Sequence, residues 1–316
     1  MRQSLHALTE ELRRLRSAGL KTVAVSDESL AALRRVVQAR GRGGATGADG
    51  PGATVPVPPA APEAAPEKKP VPVPAVPAFK PTVVVPTHET TPLPAPPAVT
   101  LPAGSKQVRW EALWAAVQAD PTCRANVRPG KKVVLGVGSL EAKVMFVGEA
   151  PGAEEEIQGE PFVGPAGQLL TKMIQGMGLK REEVYIGNIM NWRPQMPTPP
   201  GAEQVGNRPP TEAEMRYCLP YLRAQLEIVN PEVLVALGKT AVEGLLGFGK
   251  FKTLGEARGL WHDFAGKPLM VTYHPSYILR EPTNRKKRLI WEDLLKVMER
   301  AAQPISDRQR GYFLER

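Results

Sequence analysis

A carboxylate and an aromatic side chain follow the best-defined strand that this sequence predicts. Residues 144–147 are apolar and favour β structure, and the chain must turn at Gly148, before Glu149 and, further on, Phe162. In a parallel α/β sheet, ligands bind beyond the carboxyl ends of the strands. Glu149 and Phe162 are therefore candidates for a binding site, although an ordinary strand–turn–helix with solvated acids explains this stretch, taken alone, equally well.

Two further strand ends present an amide and an imidazole. Asn188 ends the strand predicted over residues 184–188, and His274 directly follows the strand predicted over residues 268–273. An amide both donates and accepts hydrogen bonds, so Asn188 can read the edge of a nucleic-acid base. A lone histidine at a strand end is more often structural than catalytic, but its place at the same sheet edge as Glu149 makes His274 a candidate for catalysis.

Strands and helices alternate through the part of the sequence that carries these residues. Strands are predicted at 143–148, 184–188, 233–238 and 268–273, with a short strand or hairpin within 131–138. Helices are predicted up to Ala119, along 169–177, from Thr211 toward Val229, over 240–246 and along 289–298. We expect an α/β domain at 105–302, in three α/β/α layers around a central, mostly parallel four-stranded sheet.

Composition separates this domain from the rest of the chain. Most of the excess among the 34 prolines lies between Gly41 and Gly104, so residues 41–104 predict a disordered, polyproline-like linker. Leucines at helical spacing predict a small helical segment at 1–40, either a docking module for an unknown protein partner or an accessory helical pair. Residues 303–316 form a C-terminal tail.

The charge balance favours a polyanionic partner. The net charge is +9, from 41 Lys and Arg against 32 Asp and Glu, and a basic run at 285–288 closely follows His274. No apolar run is long enough to span a membrane, and two cysteines do not make a disulfide framework. We expect a soluble, cytoplasmic, monomeric protein that makes no membrane contact.

Four ordered motifs resemble those of the uracil-DNA glycosylase superfamily, and their arrangement is most similar to family 4. They are Gly148-Glu-Ala-Pro-Gly152, Gly159-Glu-Pro-Phe-Val-Gly-Pro-Ala-Gly167, Asn188 with Arg193-Pro194, and His274-Pro-Ser-Tyr-Ile-Leu279. The similarity covers roughly residues 105–302. It implies base excision repair by hydrolysis of the N-glycosidic bond of a flipped-out deoxyuridine in DNA, which leaves an abasic site.

The resemblance also implies roles in a uracil pocket that includes Gly148 and Ala150. Phe162 would stack on the uracil and Asn188 would hydrogen-bond its pairing edge, which discriminates uracil from cytosine. His274 would stabilise the negative charge on the departing base. Related family-1 enzymes have an aspartate at the position of Ala150, so the water-activating or charge-offsetting carboxylate here would be Glu149, or less favourably Glu154.

DNA contacts are implied for the segment that follows His274. Tyr277 and Ile278 would wedge into the gap left by the flipped base, and basic side chains would hold phosphates. The complete DNA-binding set is Ser276, Tyr277, Ile278, Arg280, Arg285, Lys286, Lys287 and Arg288.

The cysteines depart from the family pattern. Family 4 usually holds a 4Fe–4S cluster on four thiolates, but only Cys123 and Cys218 match ligand positions here. The other two positions are occupied by Asp120 or Asn126, depending on register, and by Trp192. Two thiols cannot hold this cluster, so we predict that it is absent and that the protein uses no cofactor.

Two alternative functions remain compatible with the sequence. A DNA-binding relative weakened in catalysis would bind uracil-containing DNA without excising the base. A nucleotide-binding α/β protein with no DNA role would leave the His274 loop and the basic run unexplained.

Overall fold

A computed structural model of the chain describes residues 92–199 and 201–314. The predicted helical segment at 1–40 and residues 41–91 of the predicted linker lie outside the described residues. Residues 92–104 were also assigned to the linker, but Leu93, Val99 and Leu101 pack, partly buried, against the main hydrophobic cluster. These three side chains tie the end of the predicted linker to the folded domain.

A mixed sheet of six strands forms the centre of the described chain. The strands are β1 (Val137–Gly138), β2 (Val144–Gly148), β3 (Tyr185–Asn188), β4 (Val233–Leu237), β5 (Trp261–Phe264) and β6 (Lys267–Thr272). Their order is β1-β3-β2-β4-β6-β5, in which β3, β2, β4 and β6 run parallel and the two edge strands are antiparallel to their neighbours. The four parallel strands confirm the prediction, whereas β5 was missed because only Phe264 of its four residues is buried.

Ten helices and one 3-10 turn are assigned within the described residues. The helices are α1 (Lys106–Ala119), α2 (Pro121–Asn126), α3 (Ala153–Gln158), α4 (Pro165–Gly176), α5 (Glu212–Val229), α6 (Lys239–Leu246), α7 (Leu254–Ala257), α8 (Ser276–Arg280), α9 (Asn284–Arg300) and α10 (Asp307–Arg310), and the 3-10 turn is Arg181–Glu183. The predicted start of α5 is confirmed, since Thr211 Oγ1 accepts from the Glu214 amide at 3.2 Å and Glu214 Oε2 accepts from the Thr211 amide at 2.7 Å.

Alternating residues of β2 show the three layers. Met145 and Val147 belong to one buried cluster, with side chains of α1, α5 and α6. Val144 and Phe146 belong to another, with side chains of α4 and α9. Because successive residues of a strand point to opposite faces, these two clusters cover the two sides of the sheet. The predicted α/β/α layering is confirmed.

Strand register brings the predicted site residues to one edge of the sheet. Gly148 pairs with Asn188 across β2 and β3, and Leu237 pairs with Thr272 across β4 and β6. The parallel strands therefore end together, immediately before Glu149, Gly238 and the His274 loop.

No helix among the described residues is both long enough and apolar enough to cross a membrane.

The described part of the C-terminal segment packs on the domain. Trp291 Nε1 donates a hydrogen bond to the Gln309 carbonyl at 2.6 Å, and Gln309 Nε2 donates to the Gly176 carbonyl at 2.9 Å. These contacts join α10 to α9 and to the end of α4.

Candidate functional site

Gly148, Phe162 and Asn188 meet at the carboxyl end of β2. A Cβ atom added to Gly148 would lie 2.4 Å from Asn188 Oδ1 and 2.4 Å from Phe162 Cζ, closer than any real contact. Only glycine at position 148 therefore lets the amide and the ring approach the strand. Three residues that the sequence assigned to one pocket are in contact.

The Phe162 ring joins this group to His274. The two ring centroids are 5.6 Å apart and the ring planes are inclined by 32°. Phe162 has a backbone φ of +56°, which is unusual for a residue with a large side chain, and its side chain is buried. A strained residue persists only where its surroundings fix it, so the position of this ring is strongly specified.

His274 is held as a neutral imidazole with a defined tautomer. Its Nδ1 accepts from the Ser276 backbone amide at 3.2 Å and lies 2.9 Å from Ser276 Oγ. Burial lowers the pKa of His274 to about 4; the negative charge of Glu155 opposes this shift and Arg280 adds to it. At neutral pH, the ring proton therefore resides on Nε2, which is left to donate.

Asn188 presents an amide oxygen that no described residue hydrogen-bonds. The residue is 6% exposed, and its Oδ1 is buried without a hydrogen-bond partner among the described residues. Most buried polar atoms in proteins are paired, and an unpaired one is costly. An oxygen of this kind, near the Phe162 ring, suits a ligand that brings its own N–H donor.

Glu149 lies beside the same turn and faces α6. Burial raises the pKa of its carboxyl group above the ordinary value, a hydrogen bond with Thr240 opposes the shift, and the charge of Glu243 adds to it. The Glu149 carbonyl accepts from the Met190 amide at 3.1 Å, which fixes the backbone after β2. Ala150, also assigned to the pocket, is partly buried against the main cluster.

Two charged residues at this edge were missed in the sequence analysis. Glu155 accepts hydrogen bonds from three backbone amides, and Arg181 donates to the Pro161 carbonyl at 2.7 Å. Glu155 could have been found, because an acid at the third position of a helix, here α3, is placed to accept a hydrogen bond from the backbone amide of the N-cap residue, here Gly152. Nothing local in the sequence marks Arg181.

Comparison with known proteins decides the family. The profile of the uracil DNA glycosylase superfamily matches residues 135–295. The chain belongs to this superfamily. It is 43% identical to the type-4 uracil-DNA glycosylase of Thermotoga maritima over 165 residues, which are 52% of this chain and 80% of the relative. It is 40% identical to the type-4 uracil-DNA glycosylase of Archaeoglobus fulgidus over 160 residues, 49% of this chain and 75% of the relative.

One residue of the implied DNA wedge is buried in this superfamily member. Ile278 is 5% exposed and belongs to the cluster between the sheet and α9, so the protein covers its side chain in this conformation. The sequence did not predict the helix α8 (Ser276–Arg280), and in this helix the Ile278 side chain points toward the hydrophobic cluster. Leu279 is 47% exposed, and Tyr277, which is partly buried, stacks on Tyr273 at 4.3 Å between ring centroids.

The basic side chains assigned to DNA divide into two groups. Arg288 donates to the carbonyls of Arg310 and Tyr312 at 2.7 and 2.9 Å, and so holds the C-terminal segment rather than projecting freely. Lys286 pairs with Glu281 and lies over the Tyr277 ring, and Lys287 lies over the Phe313 ring. Arg280 and Arg285 are exposed.

The position of the family cluster is filled by a hydrogen-bonded carboxylate. Asp120 Oδ1 accepts from the Cys123 amide at 2.6 Å, and Oδ2 accepts from the hydroxyls of Tyr217 and Tyr221, each at 2.8 Å. Burial would raise the pKa of Asp120, but these hydrogen bonds outweigh burial and lower it. Cys123 and Cys218 are buried, and burial raises the pKa of both thiols, which disfavours thiolate.

Aromatic packing completes this region. Trp192, at the position of a third cluster ligand, is 1% exposed and lies 6.0 Å from the Tyr217 ring between centroids. No group of three or more His, Cys, Asp or Glu side chains within 92–199 and 201–314 is arranged to hold a metal ion. Two protonated thiols, a carboxylate already bound by tyrosines and an indole do not fit a 4Fe–4S cluster.

Proposed function

We propose that this chain is a monofunctional uracil-DNA glycosylase, which hydrolyses the N-glycosidic bond of a flipped-out deoxyuridine in DNA and leaves an abasic site. Membership of the superfamily and the identity to several type-4 uracil-DNA glycosylases support the activity. The observation that carries the residue assignments is that Asn188 Oδ1, which no described residue hydrogen-bonds, lies near the Phe162 ring. A flat heterocycle stacked on Phe162 would bring an N–H donor to this oxygen.

In this proposal Asn188 distinguishes uracil from cytosine. Uracil offers an N3–H donor and an O4 acceptor on its pairing edge, and the Asn188 amide offers the complementary oxygen and NH₂ group. Cytosine has an acceptor at N3 and a donor at N4, so both contacts would be repulsive. Mispaired polar groups in a buried site carry a large penalty, which supplies the selectivity.

His274 acts on the leaving base. Cleavage of the glycosidic bond places negative charge on the uracil oxygens and positive character on the sugar. The neutral imidazole donates its Nε2 proton in a hydrogen bond to the developing anion, and Ser276 holds the ring through Nδ1. A neutral donor suits this task because it stabilises the anion without transferring a full charge into the pocket.

Glu149 acts on the other side of the bond. Its carboxylate orients the attacking water or offsets the positive charge on the sugar. A raised pKa makes the ionised form a better proton acceptor at neutral pH. Because Ala150 supplies no acid, this role falls to Glu149 alone in the turn after β2.

DNA is held by the segment after His274. Arg280 and Arg285 bind phosphates, and Leu279 is exposed beside them and takes the wedge position that Ile278 does not occupy. No iron–sulfur cluster takes part in this proposal, because Asp120, Tyr217, Tyr221 and Trp192 brace the region instead.

A single excision assay tests the function. The purified protein is incubated with an oligonucleotide carrying one deoxyuridine, then treated with alkali, which cleaves DNA only at abasic sites. We expect strand cleavage for deoxyuridine and none for deoxycytidine or thymidine at the same position. A gel shift of the uracil-containing DNA without cleavage would instead indicate the DNA-binding relative, and the absence of both would indicate a protein without a DNA role.

A further inference from the structure

The conformation of Phe162 requires an explanation that the pocket residues do not provide. Its φ of +56° places a bulky residue in the left-handed region, and conformations of this kind persist only where neighbouring groups impose them. The peptide is also in tight contact with α4, since a Cβ atom on Gly167 would lie 1.8 Å from the Phe162 carbonyl oxygen. Close packing restricts the segment but does not determine which way the ring points.

Glu155 binds the chain immediately after Phe162. Its Oε1 accepts from the Val163 and Gly164 amides at 3.0 and 2.9 Å, and its Oε2 accepts from the Gly152 amide at 3.0 Å. One carboxylate therefore joins the turn that follows Glu149 to the turn that carries Phe162. Hydrogen bonds between amides and an ionised acceptor are stronger than neutral ones, which suits a group that must oppose backbone strain.

Arg181 binds the chain immediately before Phe162. One of its guanidinium nitrogens donates to the Pro161 carbonyl at 2.7 Å, and another lies 3.4 Å from Thr171 Oγ1 on α4. Burial lowers the pKa of Arg181, and the charges of Glu160, Glu182 and Glu155 oppose that shift. Arg181 and Glu155 therefore attract each other across the segment that both bind.

We propose that Glu155 and Arg181 are positioning residues, a clamp that fixes the Phe162 ring for stacking on the excised base. Glu155 holds the two amides that follow the ring and Arg181 holds the carbonyl that precedes it, so both ends of the strained residue are fixed by charged groups. Neither side chain touches the reacting atoms. The proposal rests on the proposed function, because the ring needs positioning only if a base stacks on it.

The variants Glu155→Gln and Arg181→Met test the clamp. A glutamine at 155 loses the charge and opposes one amide donor with its own NH₂ group, and methionine at 181 loses the hydrogen bond while keeping much of the volume. We expect KM for a deoxyuridine oligonucleotide and the inhibition constant of free uracil each to rise about 10-fold, the size of one lost aromatic contact. Arg181→Lys keeps a donor for the Pro161 carbonyl and should restore most of the loss.

Matched controls are Glu111→Gln, which removes a carboxylate charge at an exposed position of α1, and Lys180→Met, which changes the exposed neighbour of Arg181. Both should keep wild-type KM and wild-type inhibition by uracil. All kinetics are measured well below the lowest melting temperature in the set, so that a loss of stability alone does not alter the constants. Folded Glu155→Gln and Arg181→Met with wild-type KM and wild-type uracil inhibition would overturn the clamp.

The double variant gives a second criterion. Because both residues act through one ring, the combined loss should be clearly smaller than the product of the separate losses, whereas independent structural effects would multiply. Multiplying losses would overturn the clamp as well. If one of the two variants fails to fold, the other decides alone, and wild-type KM and wild-type uracil inhibition in that folded variant would overturn the clamp. An inactive wild-type protein would count against the proposed function, whereas an active one with unaffected variants would count against the clamp alone.

Discussion

The Thr272 hydroxyl donates a 2.6 Å hydrogen bond to Asp293 Oδ2 and so ties the end of β6 to α9. Arg258 donates to the same oxygen at 2.8 Å and to the Leu289 carbonyl at 2.7 Å. Burial raises the pKa of Asp293, and the Thr272 and Arg258 contacts oppose that shift. The loop that carries His274 thus starts at a strand end that a buried carboxylate anchors. This anchor gives the His274 imidazole the rigid support that a directed hydrogen bond to the substrate requires.

Removing the Asn188 amide should reduce excision without unfolding the protein. Asn188→Ala deletes a group whose oxygen makes no hydrogen bond to the described residues, so the cost in stability is small, whereas the contacts to uracil are lost. We expect kcat/KM for deoxyuridine to fall about 100- to 1000-fold. Single-turnover excision and thermal melting on the same preparation check this, and near-normal turnover would remove Asn188 from the site.

Replacing His274 should change both catalysis and the acid stability of the protein. His274→Gln removes the directed donor, and we expect kcat to fall about 100- to 1000-fold. The pKa is about 4 in the folded protein against an ordinary value of 6.5, so the unfolded chain binds the extra proton between these values. The wild-type free energy of unfolding should therefore fall as the pH drops from 6.5 toward 4.

Denaturant unfolding across that pH range measures the difference between the two proteins. Because glutamine does not titrate, the His274→Gln curve should be flatter in this window than the wild-type curve. Parallel curves would show that the imidazole is not buried in its neutral form.

Glu149 should set the acid limb of the activity profile. Its pKa is raised by burial, so the functional carboxylate is lost as the pH falls through a value above the ordinary 4.5. His274 stays neutral at that point and leaves the limb unaffected. We expect the kcat/KM of the wild-type protein to decline toward low pH, and the weak residual activity of Glu149→Gln to lack that decline. The same limb in both proteins would assign it to another group.

The sheet and its polar edge could be predicted because they depend on local patterns. Apolar runs ending at Gly148, Asn188 and Gly238 identified β2, β3 and β4, and the apolar run before His274 identified β6. Parallel strands must end at a common edge, which placed Asn188 and His274 near each other. β5 lacks such a run, since Trp261 and Asp263 are exposed, and it pairs with β6 only through its tertiary position.

The residues that hold the site were harder to predict, because their partners are backbone atoms distant in sequence. Arg181 contacts the Pro161 carbonyl and Arg258 contacts the Leu289 carbonyl, and no periodicity or motif encodes such pairs. The burial of Ile278 was missed for a related reason. The sequence predicts an extended turn at Pro275, but the next five residues form the helix α8. A helical turn exposes different side chains from those that an extended segment exposes.

Leu279 and Ile278 should have opposite effects when truncated. Leu279→Ala removes an exposed side chain, so stability should stay within about 0.5 kcal/mol, while excision from double-stranded DNA falls more than excision from single strands. Ile278→Ala leaves a cavity in the core beside α9 and should cost about 3 kcal/mol, with the activity of the folded protein largely kept. Parallel melting curves and excision assays on both substrates check the pair, and the reverse pattern would restore Ile278 as the wedge.

The hydrogen-bonded carboxylate at Asp120 should replace an iron–sulfur cluster as the brace between α2 and α5. Anaerobically purified protein should contain no iron and show no absorption band at about 400 nm, where such clusters absorb. Tyr217→Phe and Tyr221→Phe each remove one hydrogen bond and should lower the free energy of unfolding by about 1 kcal/mol. Asp120→Ala should cost about 2 to 3 kcal/mol, because it uncaps α2 and leaves both hydroxyls without their acceptor. Stoichiometric iron in the protein, or an Asp120→Ala variant as stable as wild type, would show that this region is braced in another way.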